Sequence, residues 1–421
     1  ARARAERLKL GNVSFRAVSL TELDARDGDF DYIVCHGVYS WVDANVRDHI
    51  LHLCRERLRP SGVAYVSFNT LPGWNNLRTV REFLRLHVAP GPAPKRLESA
   101  RRALAVYAEA IRHERAPWAV WMRDELAWIA EADDAYVFHE YLETANDAFY
   151  LTDFVAAARA HGLAHLADAN PTLAAPALRP GVGDPLALAQ SVDFAENRRF
   201  RAALLVHRES AAGSADPANL ARLHLASRAD LAGDVSAGDL TSDAPVAFTV
   251  EEHRVELRDP WLKCALATLA EQRPRPMSYG ALAAAVAARL GLDRTSTVRW
   301  AAANAPVMLD LVFDATIELR AGRARYAAEA GQLPIASPLA RMQASEMDTV
   351  TTYRHGRVEV PAFERALLPL LDGTRDRSAL VVAMTGRAIK GETSRDGAAL
   401  AGRCEEALDW LVCNALLAPE R

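Results

Sequence analysis

Apolar residues in this chain alternate between two rhythms. Near the start, FDYIVCHGVYSWVD at 30–43 and GVAYVSFNTLPGW at 62–74 are short apolar runs that stop abruptly in polar and aromatic residues. Between them, Ile50, Leu51, Leu53, Cys54 and Leu58 recur at helical spacing, which predicts an amphipathic helix over 45–58. Residues 1–9 read as the end of a helix with Gly11 at its cap, NVSFRAV at 12–18 as a strand, and 31–35 as a second strand covered on both faces. A turn at 59–62 leads into a third strand at 63–68. Strand–helix–strand of this kind predicts a parallel sheet with right-handed crossovers.

The rhythm breaks at residue 75. Residues 75–147 are helical in pattern and carry Trp118, Trp121 and Trp128. Strand signals return at 163–166, after a helix 152–161 closed by Gly162, and in FRAALLVH at 200–207. The expected organisation is one α/β domain made of 1–74 and 148–208, a helical insertion at 75–147, and a linker at 209–245. A C-terminal α+β region, winged-helix-like, follows at 246–421. In it, helices at 260–272, 278–290 and 295–311 are expected to precede a small hairpin of 315–320 with 325–327. A second unit follows, with a strand at 358–360 and helices at 361–371 and 402–415.

Composition narrows the function classes. A net charge of −4 creates no global field toward nucleic acid or an anionic membrane. Residues 246–421 hold 22 Lys+Arg and 22 Asp+Glu, so the C-terminal units lack the basic bias of a DNA reader. Peptide binding or homo-oligomerisation through that region is the expectation. No apolar run approaches the ~18 residues of a membrane span. Cys35, Cys54, Cys264, Cys404 and Cys413 are widely spaced with no CxxC, which suits reduced thiols in a cytoplasm. No metal site is expected: after His139-Glu140 the position that HExxH chemistry needs is Glu143.

The candidate chemistry sits at the strand ends, because open parallel sheets bind ligands outside the carboxyl ends of their strands. Cys35, His36, Gly37, Tyr39, Ser40 and Trp41 follow the second strand, and Ser67, Asn69 and Leu71–Trp74 end the third. Glycine admits close backbone approach, His36 and Tyr39 offer polar groups, and Trp41 offers a flat face. The two tips are expected to floor a common hollow roofed by the Trp-rich helices. Core packing of any one of these residues is the bland alternative. Ser19 and Glu22 fit either a nucleoside contact or a helix cap. His139 and Glu140 fit either a lid over the cleft or a structural hydrogen-bond pair.

FDYIVCHGVYSWV, LRPSGVAYVSFNTLPGW and DDAYVFHEYLE together resemble bacterial class I S-adenosylmethionine-dependent methyltransferases with a methyltransferase regulatory domain, a group that includes rickettsial protein-lysine methyltransferases. NRRFRAALLVH at 197–207 is similar to the last sheet strand of that family. The resemblance implies a partial Rossmann-like sheet, S-adenosylmethionine as cofactor and a protein side chain, lysine first, as methyl acceptor. It implies cofactor contacts from Ser19, Glu22, Cys35, His36, Gly37 and Trp41, and proton handling by His36, Tyr39, Glu140 and Tyr141. Asn69, Trp74 and His139 would face the substrate. The family's glycine loop and ribose-gripping acid are expected upstream of residue 1, so the sequence reads as N-terminally truncated. The rival reading is a non-catalytic interaction module lacking the cofactor half.

Overall fold

The computed structural model describes residues 1–23, 28–170, 183–211, 216–250, 253–322, 325–385 and 397–419. It divides into two compact units, one of residues 17–214 and one of residues 1–16 with 215–421.

The first unit is built on a mixed sheet. Strands β1 (Phe30–Cys35), β2 (Leu58–Thr70), β5 (Phe200–His207) and β4 (Leu163–Asp168) lie in the order β1-β2-β5-β4. The short β3 (Ala148–Phe149) extends the end of β2 in parallel. β1 and β2 are parallel, with Cys35 opposite Val66, so both carboxyl ends emerge at one edge. β5 runs antiparallel to both β2 and β4. Helices α2 (Ala44–Arg57) and α7 (Leu151–Ala160) contribute Ile50, Leu51, Cys54, Phe154 and Val155 to one core with Val66, Phe68 and Leu205. Gly162 closes α7 in the left-handed region at φ +75°, which suits a residue without Cβ.

Three expectations fail here. Residues 12–18 form no strand. β1 is not covered on both faces: Ile33 and Cys35 pack inward, but Tyr32 is 76% and Val34 69% exposed. The turn expected at 59–62 is instead part of β2, whose pairing with β1 shifts register between Phe30 and Tyr32.

A run of helices lies between β2 and β3, in the segment read as an insertion. It comprises α3 (Trp74–His87), α4 (Ala93–Ala110), α5 (Pro117–Glu131), a one-turn α6 (Asp134–Val137) and a π-helical turn at Phe138–Leu142. Leu77, Val80 and Leu84 form the buried stripe of α3 and close a separate core with Leu104, Met122, Ile129 and Tyr141. A bidentate pair, Arg199 Nη1 and Nη2 to Glu125 at 3.2 and 2.8 Å, ties α5 to the start of β5. The Pro72-Gly73 turn meets the same segment, where Gly73 N–H donates to Arg198 O at 3.1 Å. A Cβ at Gly73 would collide with the carbonyl oxygens of Asn197 and Arg198.

In the second unit the expected linker is a correction: Leu220, Leu225 and Leu240 are buried core residues, so folded structure begins near residue 217. Strand β6 (His224–Ser227) pairs with β10 (Met277–Ser278) and with β11 (Ile317–Arg320). β11 therefore finds its partner nearly a hundred residues upstream, and not in 325–327. Helices α10 (Pro260–Glu271), α11 (Tyr279–Leu290) and α12 (Arg294–Phe313) pack Trp261, Leu266, Leu282 and Met308 around this sheet. A second core joins α14 (Ala362–Leu367), α15 (Arg377–Met384) and α16 (Gly397–Cys413) through Phe363, Leu380, Leu408 and Leu411. Its hairpin is β12 (Thr349–Thr351) with β13 (Arg357–Glu359), near the strand expected at 358–360. No described helix is long and apolar enough to cross a membrane.

Candidate active site at the strand tips

The chain leaves β1 through Gly37, whose φ of +66° favours glycine. Gly37 N–H donates to Ser67 Oγ on β2 at 2.9 Å. His36 Nδ1 lies 3.0 Å from Tyr65 Oη and 3.3 Å from Ser67 Oγ. One step on, Ser40 Oγ accepts the Asn69 N–H at 2.8 Å. The two tips are therefore stitched side by side, as expected.

The insertion reaches them through its last turn. Asn69 Nδ2 donates to Asn146 Oδ1 at 2.8 Å, and Asn146 Nδ2 donates to Glu140 O at 3.1 Å. Ser40 O accepts the Asp147 N–H at 2.8 Å. His139 stacks on Trp41 with ring centroids 3.9 Å apart. The covering element is thus the π-helical turn, a geometry that recurs at functional sites. The Trp-rich helix is not the roof: Trp118 and Trp128 stand more than half exposed.

Burial separates these residues by role. Glu140 is largely buried, and desolvation pushes its carboxyl up to about 7 against the lowering field of Arg81. That places a proton acceptor in the neutral range. Tyr39 packs edge-on against Phe149 and Phe154 in the sheet core, and burial pushes its hydroxyl up to about 12. Tyr141 lies inside the insertion core, its hydroxyl also pushed up by burial. Both tyrosines are packing residues in this structure, which corrects their expected part in proton transfer. The Cys35 thiol, raised to about 11 by burial, is no nucleophile at neutral pH. Trp74 opens α3 and sits in the insertion core, with one edge on a cavity of about 210 Å³. Ser19 caps a short turn by accepting the Thr21 N–H at 3.3 Å, with Glu22 exposed on that turn.

Sequence reading missed Asn146 and Arg81. Arg81 shares the buried stripe of α3 with Leu77 and Leu84, at i+4 and i+7, and an arginine on an apolar stripe was the available signal. It also missed a buried network in which Arg201 Nε donates to both Asp193 oxygens at 3.0 and 2.9 Å and Nη1 pairs with Asp168. That network pins α8 (Pro185–Glu196) and β4 to β5.

Two family models match the chain: the predicted methyltransferase regulatory domain over residues 133–207, and the PKMT C-terminal winged helix domain over 333–414. The first begins at the acidic turn before the FHEYL segment and ends with β5. The structure of PKMT2 from Rickettsia typhi superposes with a TM-score of 0.83 at 27% identity, covering 99% of this chain and 86% of that one. PKMT2 in complex with AdoHcy gives 0.82 at 28% identity, with the same coverage. The chain is similar to S-adenosylmethionine-dependent methyltransferases that carry this regulatory domain. Among curated relatives, the chain is 29% identical over 409 residues to uncharacterized protein RP789 of Rickettsia prowazekii, covering 93% of this chain and 73% of that protein. It is 39% identical over 148 residues to uncharacterized protein RP028 of the same organism, covering 35% and 59%.

Proposed function

We propose that this methyltransferase transfers a methyl group from S-adenosylmethionine to a protein side chain, with lysine as the acceptor. The observation that carries the reading is the likeness to PKMT2 over 99% of this chain, seen also with AdoHcy bound, joined to the stitched strand tips at His36 and Asn69. The tip of β1 fits a nucleoside: Gly37 and His36 are exposed, and a Cβ at Gly37 would meet open space. His36, Gly37 and the Trp41 face would hold the cofactor, with Ser19 and Glu22 as further contacts. The bound cofactor supplies an electrophilic methyl on a sulfonium.

The chain's own residues supply alignment and proton handling. A lysine ammonium, with an ordinary pKa near ~10.4, must lose its proton before it can act as a nucleophile. Glu140 is the group suited to take it, because its carboxyl is raised to about 7 beside the Asn69–Asn146 link. His36 is a second acceptor at the β1 tip, and Asn69 and His139 would orient the acceptor. The C-terminal winged helix domain is read as a protein-binding element, since its residues carry no basic bias.

The test incubates the protein with methyl-labelled S-adenosylmethionine and candidate acceptor proteins, followed by mass mapping of the label. Methyl-lysine is the expected product. Absence of both label transfer and cofactor binding sinks the proposal.

A further inference from the structure

Beside the Asn69–Asn146 link, the cavity of about 210 Å³ is lined by Trp74, Arg78, Arg81, Arg85, Asn146 and Asp147, among others. It shares Arg85 and Thr144 with a second cavity of about 410 Å³ that continues along α3 past Arg96. The three arginines recur at i, i+3 and i+7, so one face of α3 carries them all. Of the negative groups nearby, Asp147 pairs with Arg47 at 2.9 Å and Glu82 lies 3.7 Å from Arg85, while Glu140 acts on Arg81 through its field.

Arg81 is the unusual member. Its side chain is only 4% exposed. Nη2 donates to the backbone oxygens of Glu143 and Thr144, and Nη1 is buried with no partner. A buried guanidinium held by carbonyls, with one arm unsatisfied, has a donor still without an acceptor. Burial first, then the neighbouring Arg85, lower its pKa, and the fields of Glu82, Glu140 and Asp147 only partly offset them.

Resting on the transferase reading above, we propose that this trough takes the acceptor protein, and that Arg78 and Arg81 read the carboxylate of an Asp or Glu close to the methylated lysine. Arginine forks match carboxylate geometry in two bonds, which gives selectivity over the isosteric amide. A carboxylate lodged here supplies the missing partner of Arg81. The trough's shared wall at Asn146 keeps that anion next to the strand tips.

The test uses binding alone, without cofactor. Fluorescent peptides with one lysine and a Glu or Gln placed at each flanking position in turn are titrated against the full chain. At the best position the Glu peptide is expected to bind about tenfold tighter than its Gln counterpart. Arg78→Glu, at an exposed position, should abolish or invert that ratio, and Arg112→Glu elsewhere on the insertion should leave it unchanged. Arg81→Gln, checked for folding by circular dichroism, should reduce it. Equal binding of Glu and Gln peptides at every position overturns the proposal. So does a Glu preference that survives Arg78→Glu, binding only of the phosphoserine analogue, or displacement by a single-stranded oligonucleotide. Glu preference without methyl transfer sinks the transferase reading and keeps this site; transfer without Glu preference does the reverse.

Discussion

Replacing Glu140 by Gln isolates the electrostatic cost of its position. The carboxyl is raised from 4.5 to about 7, chiefly by burial. Because the folded form holds the proton more tightly, stability is full below pH 4.5 and falls as pH rises toward 7. At ~1.36 kcal/mol per unit, the displacement corresponds to at most about 3 kcal/mol. Water still reaches part of the side chain, so about 1.5 kcal/mol is the better expectation. Gln keeps the shape and remains neutral. Urea unfolding of parent and variant at pH 5 and pH 8.5 reads the effect, and the difference between proteins cancels groups common to both. Glu140→Gln should be near neutral at pH 5 and stabilising by roughly 1.5 kcal/mol at pH 8.5. Equal effects at both values, or destabilisation confined to pH 8.5, refute the reasoning. If Glu140 also takes the acceptor's proton, the same variant should lose activity while gaining stability.

Gly73→Ala forces a methyl against two backbone carbonyls and should cost about 2 kcal/mol or more, with faster amide exchange across residues 70–77; unchanged exchange rejects the clash. Lys263 is fully buried, and its Nζ donates to Asp239, Ser242 and Ala244 carbonyls at 2.6, 2.7 and 2.6 Å. Lys263→Met strands all three oxygens and should cost about 3 kcal/mol in guanidinium unfolding; a loss under about 0.5 kcal/mol contradicts the clamp. With iodoacetamide at pH 8, exposed Cys413 should react first and Cys54, buried and raised to about 12, last. Peptide mass spectra showing Cys54 as fast as Cys413 would overturn that order.

The sheet tips and the insertion were legible because both rest on strong periodicity. The abrupt polar stops after Cys35 and Asn69 mark strand ends whatever the tertiary context. NVSFRAV misled because β propensity needs a partner, and none pairs with it among the described residues. Residues 209–245 looked like a linker because Ala, Ser, Asp and Gly are abundant there, yet Leu220, Leu225 and Leu240 are buried in a core. Tyr39 was misread for a related reason. A tyrosine after a glycine at a strand end has the chemistry of a site, and only the rings of Phe149 and Phe154 show that it is filling a core. Arg81 was overlooked because its stripe was read by its leucines alone.

The outermost strand of the sheet has a practical corollary. Among the described residues β1 pairs on one side only, and Tyr32 and Val34 stand exposed on one of its faces. Such an edge templates strand addition between molecules. Tyr32→Lys should therefore lower self-association of this polypeptide at high concentration.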